Sequence, residues 1–298
     1  MATTKQYRLK GHGTFMPREG WIYKGLTALK SDNRVFLDKE HGADELGVGA
    51  NMVSSIRYWL NALGLITENR REGCVFTELG NTICHYDPYL EDPVTLWFLH
   101  YELARNEIFA TVWYLFFNEL EAEEFTKYEL NQMLLKLLVL YSGQSSENIT
   151  RSSLESDVMV LLNMYTKERS REYDPEDKSV SPFATLGLVK KEGERFCKVV
   201  PSLDTLSKYV VLYGMQDMLQ QSGGMYSVQM DSLLGRGGVG KMLQLNRATL
   251  YGMVEQLSAD GMLELNRTAG LDMIYQGRKY KREEIAKRYY KQCYKGSA

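Results

Sequence analysis

The sequence predicts a mainly α-helical protein with small β-wings, built as tandem winged helix-turn-helix domains around an aromatic helical hub. Three observations carry that prediction. A pattern of helix, glycine, apolar pair and polar two-stranded stretch occurs at residues 54–80, 181–201 and 249–275. Gly64, Gly187 and Gly261 stand where each helix needs a left-handed C-terminal stop. An aromatic-rich segment, 92–118, lies between the first two copies. The glycines are 123 and then 74 residues apart, which excludes a solenoid of fixed period.

The elements follow in order. In GHGTFMPREGWIYKGL, Phe15, Trp21, Ile22 and Leu26 are apolar enough to dock the N-terminal arm on the first winged domain. His12 has no activated nucleophile or paired carboxylate at a defined spacing, so no catalytic role follows. Asp38 to Leu46 reads as a helix, Gly47-Val48-Gly49 as a tight turn, and Asn51 onward as the next helix. Val53, Ile56, Leu60 and Leu63 recur at helical spacing and form its buried stripe. Leu65–Thr67 and Cys74–Thr77 read as a two-stranded wing. In 92–118, Asp92 caps, Pro93 suits a first helical turn, and the remainder reads as buried helix.

ELEAEE, residues 119–124, reads as a solvated acidic junction. Residues 152–167 form a strong helix, and a polar insert, 168–181, separates it from strands at Leu188–Lys190 and Arg195–Val199. The third copy has a helix at Val228–Leu234 and a flexible loop, GRGGVGKMLQL. Its next helix runs from Asn246, with Leu250, Val254 (or Met253) and Leu257 inward, and its wing strands are Met262–Leu265 and Leu271–Tyr275. The expected domains are 1–90, a helical connector at 91–124, a second winged-helix-like domain at 125–204, and 205–298 with a basic tail.

Composition narrows the function. Hydrophobic residues at 44% and charged residues at 25% exclude a disordered chain. The net charge of -2 argues against a uniformly basic nucleic-acid coat, but it hides asymmetry. Residues 1–30 hold six Lys/Arg and one acid; residues 276–298 hold eight Lys/Arg and two acids. The ends are therefore +5 and +6, and 31–275 carries -13. Cys74, Cys84, Cys197 and Cys293 form no Cys-x-x-Cys pair, and His12, His41, His85 and His100 lack ligand spacing, so no metal or cofactor is expected. Scattered thiols, no signal-like apolar start and no membrane-length apolar run together predict a cytoplasmic protein.

Gly235-Arg236-Gly237-Gly238-Val239-Gly240-Lys241-Met242 matches two glycine-rich phosphate-binding patterns. Met242 replaces the magnesium-binding hydroxyl, and a helix-like segment precedes it where a strand is needed. A winged-domain loop is the better reading. Its amides, Arg236 and Lys241 still suit a DNA backbone.

In a winged helix the third helix commonly enters the major groove, and side chains opposite its buried stripe face the bases. The first copy offers Asn51, Ser54, Ser55, Arg57 and Tyr58 there; the third offers Asn246, Arg247, Thr249 and Tyr251. Arg70, Arg71 and Arg267 on the wings suit phosphate or minor-groove contact. The second copy, with Glu155, Asp157 and few cations, looks like a protein-binding module. The C-terminal QGRKYKREEIAKRYYKQCYKG, including Arg278 and Lys279, interleaves cations with tyrosines. It fits either a nucleic-acid-holding tail or a final helix whose tyrosines pack on the body.

In order along the chain, HGTFMPREGWIYKGL, ELGVGANMVSSIRYWLNALGLI, TELG, DPYLEDPVTLWFLHYELA, WYLFFNE, SLESDVMVLLNMY and SPFATLGLV resemble a bacterial domain-of-unknown-function family. The resemblance covers about residues 8–200. Members are encoded beside phosphoadenosine-phosphosulfate-reductase-like sulfurtransferases in DNA phosphorothioation and anti-phage islands. It implies a DNA-modification or phage-defence setting and supplies no catalytic residues. Two functions follow. One is a non-enzymatic protein that binds double-stranded DNA and recruits partner enzymes or regulates their operon. The other is an assembly subunit that binds a sulfurtransferase-like partner without touching DNA. The helix-rich surface is compatible with a homodimer.

Overall fold

The computed structural model describes residues 5–69, 71–166, 180–221, 226–268, 271–276 and 280–294. The expected site residues Arg70, Arg278 and Lys279, and nearly all of the 168–181 insert, lie outside them. The chain forms two compact units, Met1–Val199 and Val200–Ala298. Each is mainly helical with small antiparallel sheets. Among the described residues, no helix is long and apolar enough to cross a membrane.

The first unit opens with α1 (Trp21–Ser31), α2 (Lys39–Leu46) and α3 (Ala50–Ala62), then β1 (Ile66–Asn69), β2 (Gly73–Phe76) and α4 (Glu78–Tyr86). Asp38 starts α2 by accepting the Glu40 and His41 amides. Such a cap satisfies amide donors that the first helical turn leaves unpaired. Val53, Ile56, Leu60 and Leu63 are all buried, as their spacing requires. β1 and β2 pair antiparallel, with Ile66 opposite Phe76 and Asn69 opposite Gly73.

The aromatic segment is two helices, not one: α5 (Pro93–Ala104) and α6 (Thr111–Asn118). The Asn106 side chain stabilises the break with one local and one long-range hydrogen bond. The Asn106 amide donates to Ala62 O at 3.1 Å while its carbonyl accepts the Phe109 N–H at 2.9 Å. Such bonds compete with helical ones. Trp97, Phe98, Tyr101, Trp113, Phe116 and Phe117 are fully buried and form the aromatic centre of this unit.

β3 (Glu124–Thr126), α7 (Lys127–Ser142), α8 (Arg151–Thr166), β4 (Val189–Glu192) and β5 (Arg195–Lys198) complete the unit. The acidic junction is therefore not wholly solvated. Leu120 is buried, and Glu124 lies in a strand opposite Cys197, paired with the Arg195 guanidinium. Residues Pro182–Leu186 form a 3-10 turn where an α-helix was expected. Ser181 caps this short piece through the Phe183 amide, and Gly187 ends it.

The second unit contains α9 (Lys208–Gln221), β6 (Ser227–Gln229), α10 (Met230–Leu234), α11 (Val239–Met242) and α12 (Arg247–Ala259). It ends with β7 (Leu263–Thr268), β8 (Leu271–Gln276) and α13 (Arg282–Cys293). The sheet order is β6-β8-β7, all antiparallel. Val228 belongs to this sheet, opposite Ile274, and not to a helix. The glycine-rich loop is also more ordered than expected. It contains the single turn of α11, and Val239, Met242, Leu243 and Leu245 are buried. Gly64, Gly187 and Gly261 all have φ between 65° and 68°, the left-handed stop read from the sequence.

Candidate nucleic-acid interface

The two helices expected to present base-reading faces meet different fates. On α3, Ser55 and Tyr58 are interior residues. The N-terminal arm lies over the face they occupy. Ser55 Oγ donates to His12 O at 3.0 Å and to Asn51 O at 3.2 Å. Tyr58 Oη donates to Phe109 O at 2.7 Å, and Trp59 Nε1 donates to Phe15 O at 3.0 Å. The Arg8 guanidinium sits 5.3 Å from the Tyr58 ring centre. Burial, together with the nearby Asp157 charge, pushes the Tyr58 phenol well above its usual range.

His12, which the sequence left without a role, locks the arm in place. Its ring is fully buried, stacked on Trp59 and edge-on to Tyr58 and Trp113. Its Nε2 lies 2.9 Å from Asp157 Oδ1, an ion-pair separation without hydrogen-bond alignment. The Lys10 amide donates to the same oxygen at 2.8 Å. Asp157 is buried in α8, so the carboxylate read as a protein-facing surface charge is an internal anchor.

Arg57 is likewise committed to its own unit. Its guanidinium forks onto Glu68, with Nε 2.9 Å and Nη2 2.5 Å from the two carboxylate oxygens. That hydrogen-bonded pairing raises the Arg57 pKa and lowers that of Glu68, helped by Asn61, which donates to the same carboxylate. Ser55, Arg57 and Tyr58 are therefore not free base-reading groups, contrary to the expectation for this helix. Asn51, Ser54 and Arg71 keep surface positions.

On α12 the expected face is open. Leu250, Met253, Val254 and Leu257 are buried. Arg247, Tyr251 and Glu255 follow one another at i, i+4 spacing, so they share the other side. Asn246 caps the helix, its Oδ1 accepting the Thr249 amide at 2.9 Å. Arg247 pairs with Asp231 and lies 3.6 Å from Asp272. Arg267, on the β7–β8 hairpin, stacks 4.9 Å above the Tyr251 ring and pairs with Glu255. The three carboxylates were missed at the sequence level because they come from β8, α10 and α12 itself. The β7–β8 register sets Asp272 opposite Arg267, and Asp231 reaches Arg247 from α10, 16 positions earlier.

Around this face, Arg236 is exposed and Lys241 is half-buried on α11. The glycine pattern has a packing explanation. A Cβ on Gly238 would collide with the Leu233 carbonyl. The final helix, α13, packs on its own unit. Tyr290 is buried, Tyr209 Oη donates to Gln292 Oε1 at 2.6 Å, and Arg282 pairs with Asp217 at 3.0 Å. Lys281, Lys287 and Lys291 remain exposed. Residues 200–298 hold thirteen Lys/Arg against nine acids, or +4; residues 1–199 hold 23 against 29, or -6.

The model of a family described as a protein of unknown function, DUF4007, matches residues 9–292. The chain belongs to that family. The match runs through the third copy, well past the roughly 8–200 span that the motifs covered. Among curated proteins, none matches the chain. Two solved structures share its fold. One, described as the SspB crystal structure, is 24% identical with a TM-score of 0.83, covering 99% of this chain and 90% of that one. The other, described as magnesium ion-bound SspB, is 23% identical with a TM-score of 0.83, covering 98% and 89%.

Proposed function

We propose that this protein is a non-enzymatic, winged-helix DNA-binding component of a bacterial DNA-modification system of the phosphorothioation type or of a phage-defence system. In this reading, α10 to α12 and the β7–β8 hairpin act as a winged helix, with α12 presented to duplex. The observation that carries the reading is the start of α12: Arg247 and Tyr251 along one side, Thr249 in the first turn capped by Asn246, and Arg267 stacked on Tyr251, in the basic half of the chain. Cations on a helix face and wing suit phosphate, and short polar side chains suit base edges. The first unit, acidic in total and with its α3 face covered by the arm, recruits partner enzymes. The resemblance of residues 8–200 to proteins encoded beside sulfurtransferases supports that setting.

Binding of fluorescent duplex across a salt series tests the proposal, with unmodified and phosphorothioated DNA in parallel. The expected result is saturable binding whose log Kd rises linearly with log salt. Absence of binding at low salt overturns it. A second reading is favoured by the ion-paired state of Arg57, Arg247 and Arg267 and by the acidic first unit. There the chain is an assembly subunit that binds a sulfurtransferase-like partner without DNA contact. Stoichiometric co-purification of that partner, with no DNA affinity at any salt, selects this second reading.

A further inference from the structure

The arginines of the α12 face are not bare cations. Arg247 lies between Asp231 and Asp272, and Arg267 is paired with Glu255 across the Tyr251 ring. Two guanidinium groups thus meet three carboxylates, so the charge of these two arginines is offset at rest. Side-chain exposure is 57% for both arginines, 71% for Asp231 and 51% for Glu255. These pairs are therefore solvent-screened and weak enough to exchange for another anion. A phosphate competes for the same donors of the planar guanidinium.

We propose that Asp231 and Glu255 are built-in competitors that mask the arginines of a nucleic-acid site. They set its affinity and suppress non-specific backbone binding. This rests on the DNA-binding reading above. In the masked state the carboxylates offset the attraction of Arg247 and Arg267 for a phosphate chain. Binding requires Arg247 and Arg267 to leave their carboxylates for phosphate, and a duplex making only loose contacts cannot offset that exchange. Asp272, 24% exposed and opposite Arg267 in the hairpin register, lies 3.6 Å from Arg247 on its other side. Like-charge opposition of this kind is a recognised route to specificity, because it penalises poorly matched partners more than matched ones.

The test uses the full-length chain with Asp231→Asn, Glu255→Gln and the double substitution, each titrated with random-sequence duplex in a salt series. Glu264→Gln serves as the control. It makes the same charge change at an exposed site on β7, next to Leu263, which faces the core. Each masking substitution is expected to tighten binding by about 3- to 10-fold at low salt, a size set by the usual strength of exposed ion pairs. Glu264→Gln is expected to change it by less than about 2-fold. The gain from Asp231→Asn must vanish when Arg247→Ala is also present, because the carboxylate acts through that guanidinium. A gain that persists without Arg247, or that Glu264→Gln reproduces, reduces the effect to overall charge and overturns the proposal. Unchanged binding in a wild-type chain that does bind DNA overturns it too, while leaving the DNA reading intact. If neither wild type nor variants bind at low salt, both fall together.

Discussion

Tyr58 shows how a residue chosen for one role can hold another. Its place opposite the stripe of α3 made it a candidate for base contact, yet its hydroxyl is spent on the Phe109 carbonyl. Tyr58→Phe should therefore cost about 1–2 kcal/mol in urea denaturation, the usual range for losing such a bond, with DNA affinity unchanged. The phenol also carries a pH dependence. Burial raises its folded pKa above the free value of about 10, so its contribution is complete below that pH and declines as pH rises through the alkaline range. The wild type should lose stability between pH 9 and pH 11, and Tyr58→Phe should lose less; equal losses would show that the tyrosine does not drive it. Glu68 has the opposite sign. Its folded pKa is lowered by Arg57, so its stabilisation is present above the free carboxylate value and is lost as pH falls.

At the scale of elements, local patterns were readable and contacts distant in sequence were not. The 3,4,3 spacing of Val53, Ile56, Leu60 and Leu63 located α3, Asp38 and Gly47 located α2, and the three stop glycines located the ends of α3, the Pro182–Leu186 turn and α12. Each of these signals acts within one or two turns. The break between α5 and α6 depends on Asn106 reaching Ala62, 44 positions away, which no window of sequence contains. The same holds for β3, whose partner β5 begins 71 positions later. The covering of α3 was hidden for a like reason: it needs the arm, α3, α6 and α8 together. A local signal with a measurable value is the capping box of α7, where Thr126 and Glu129 each bond the other's backbone. Thr126→Ala should lower stability by about 1 kcal/mol. Thermal denaturation measures it, and an unchanged midpoint would mean that β3 holds this end without the cap.

At the scale of the whole molecule, the net charge of -2 conceals a division that coincides with the two compact units, -6 for residues 1–199 and +4 for residues 200–298. An even distribution would leave both units equally suited to nucleic acid. The observed one separates Arg57 from Arg247, although each begins as an arginine on a helix that precedes a hairpin. Arg57 is 33% exposed and its fork is occupied on both oxygens of Glu68, so its reversal to Glu places two carboxylates side by side and breaks a structural pair. Arg57→Glu should therefore unfold at lower denaturant concentration, while folded protein keeps its duplex affinity within about 2-fold. Arg247 is more exposed and stands at the start of α12 in the basic unit. Arg247→Glu should weaken duplex binding by about 10-fold or more and flatten the salt slope by about one unit, with little change in stability. Equal weakening by the two reversals would return α3 to the interface and remove the proposed division of DNA and partner binding between the basic and acidic units.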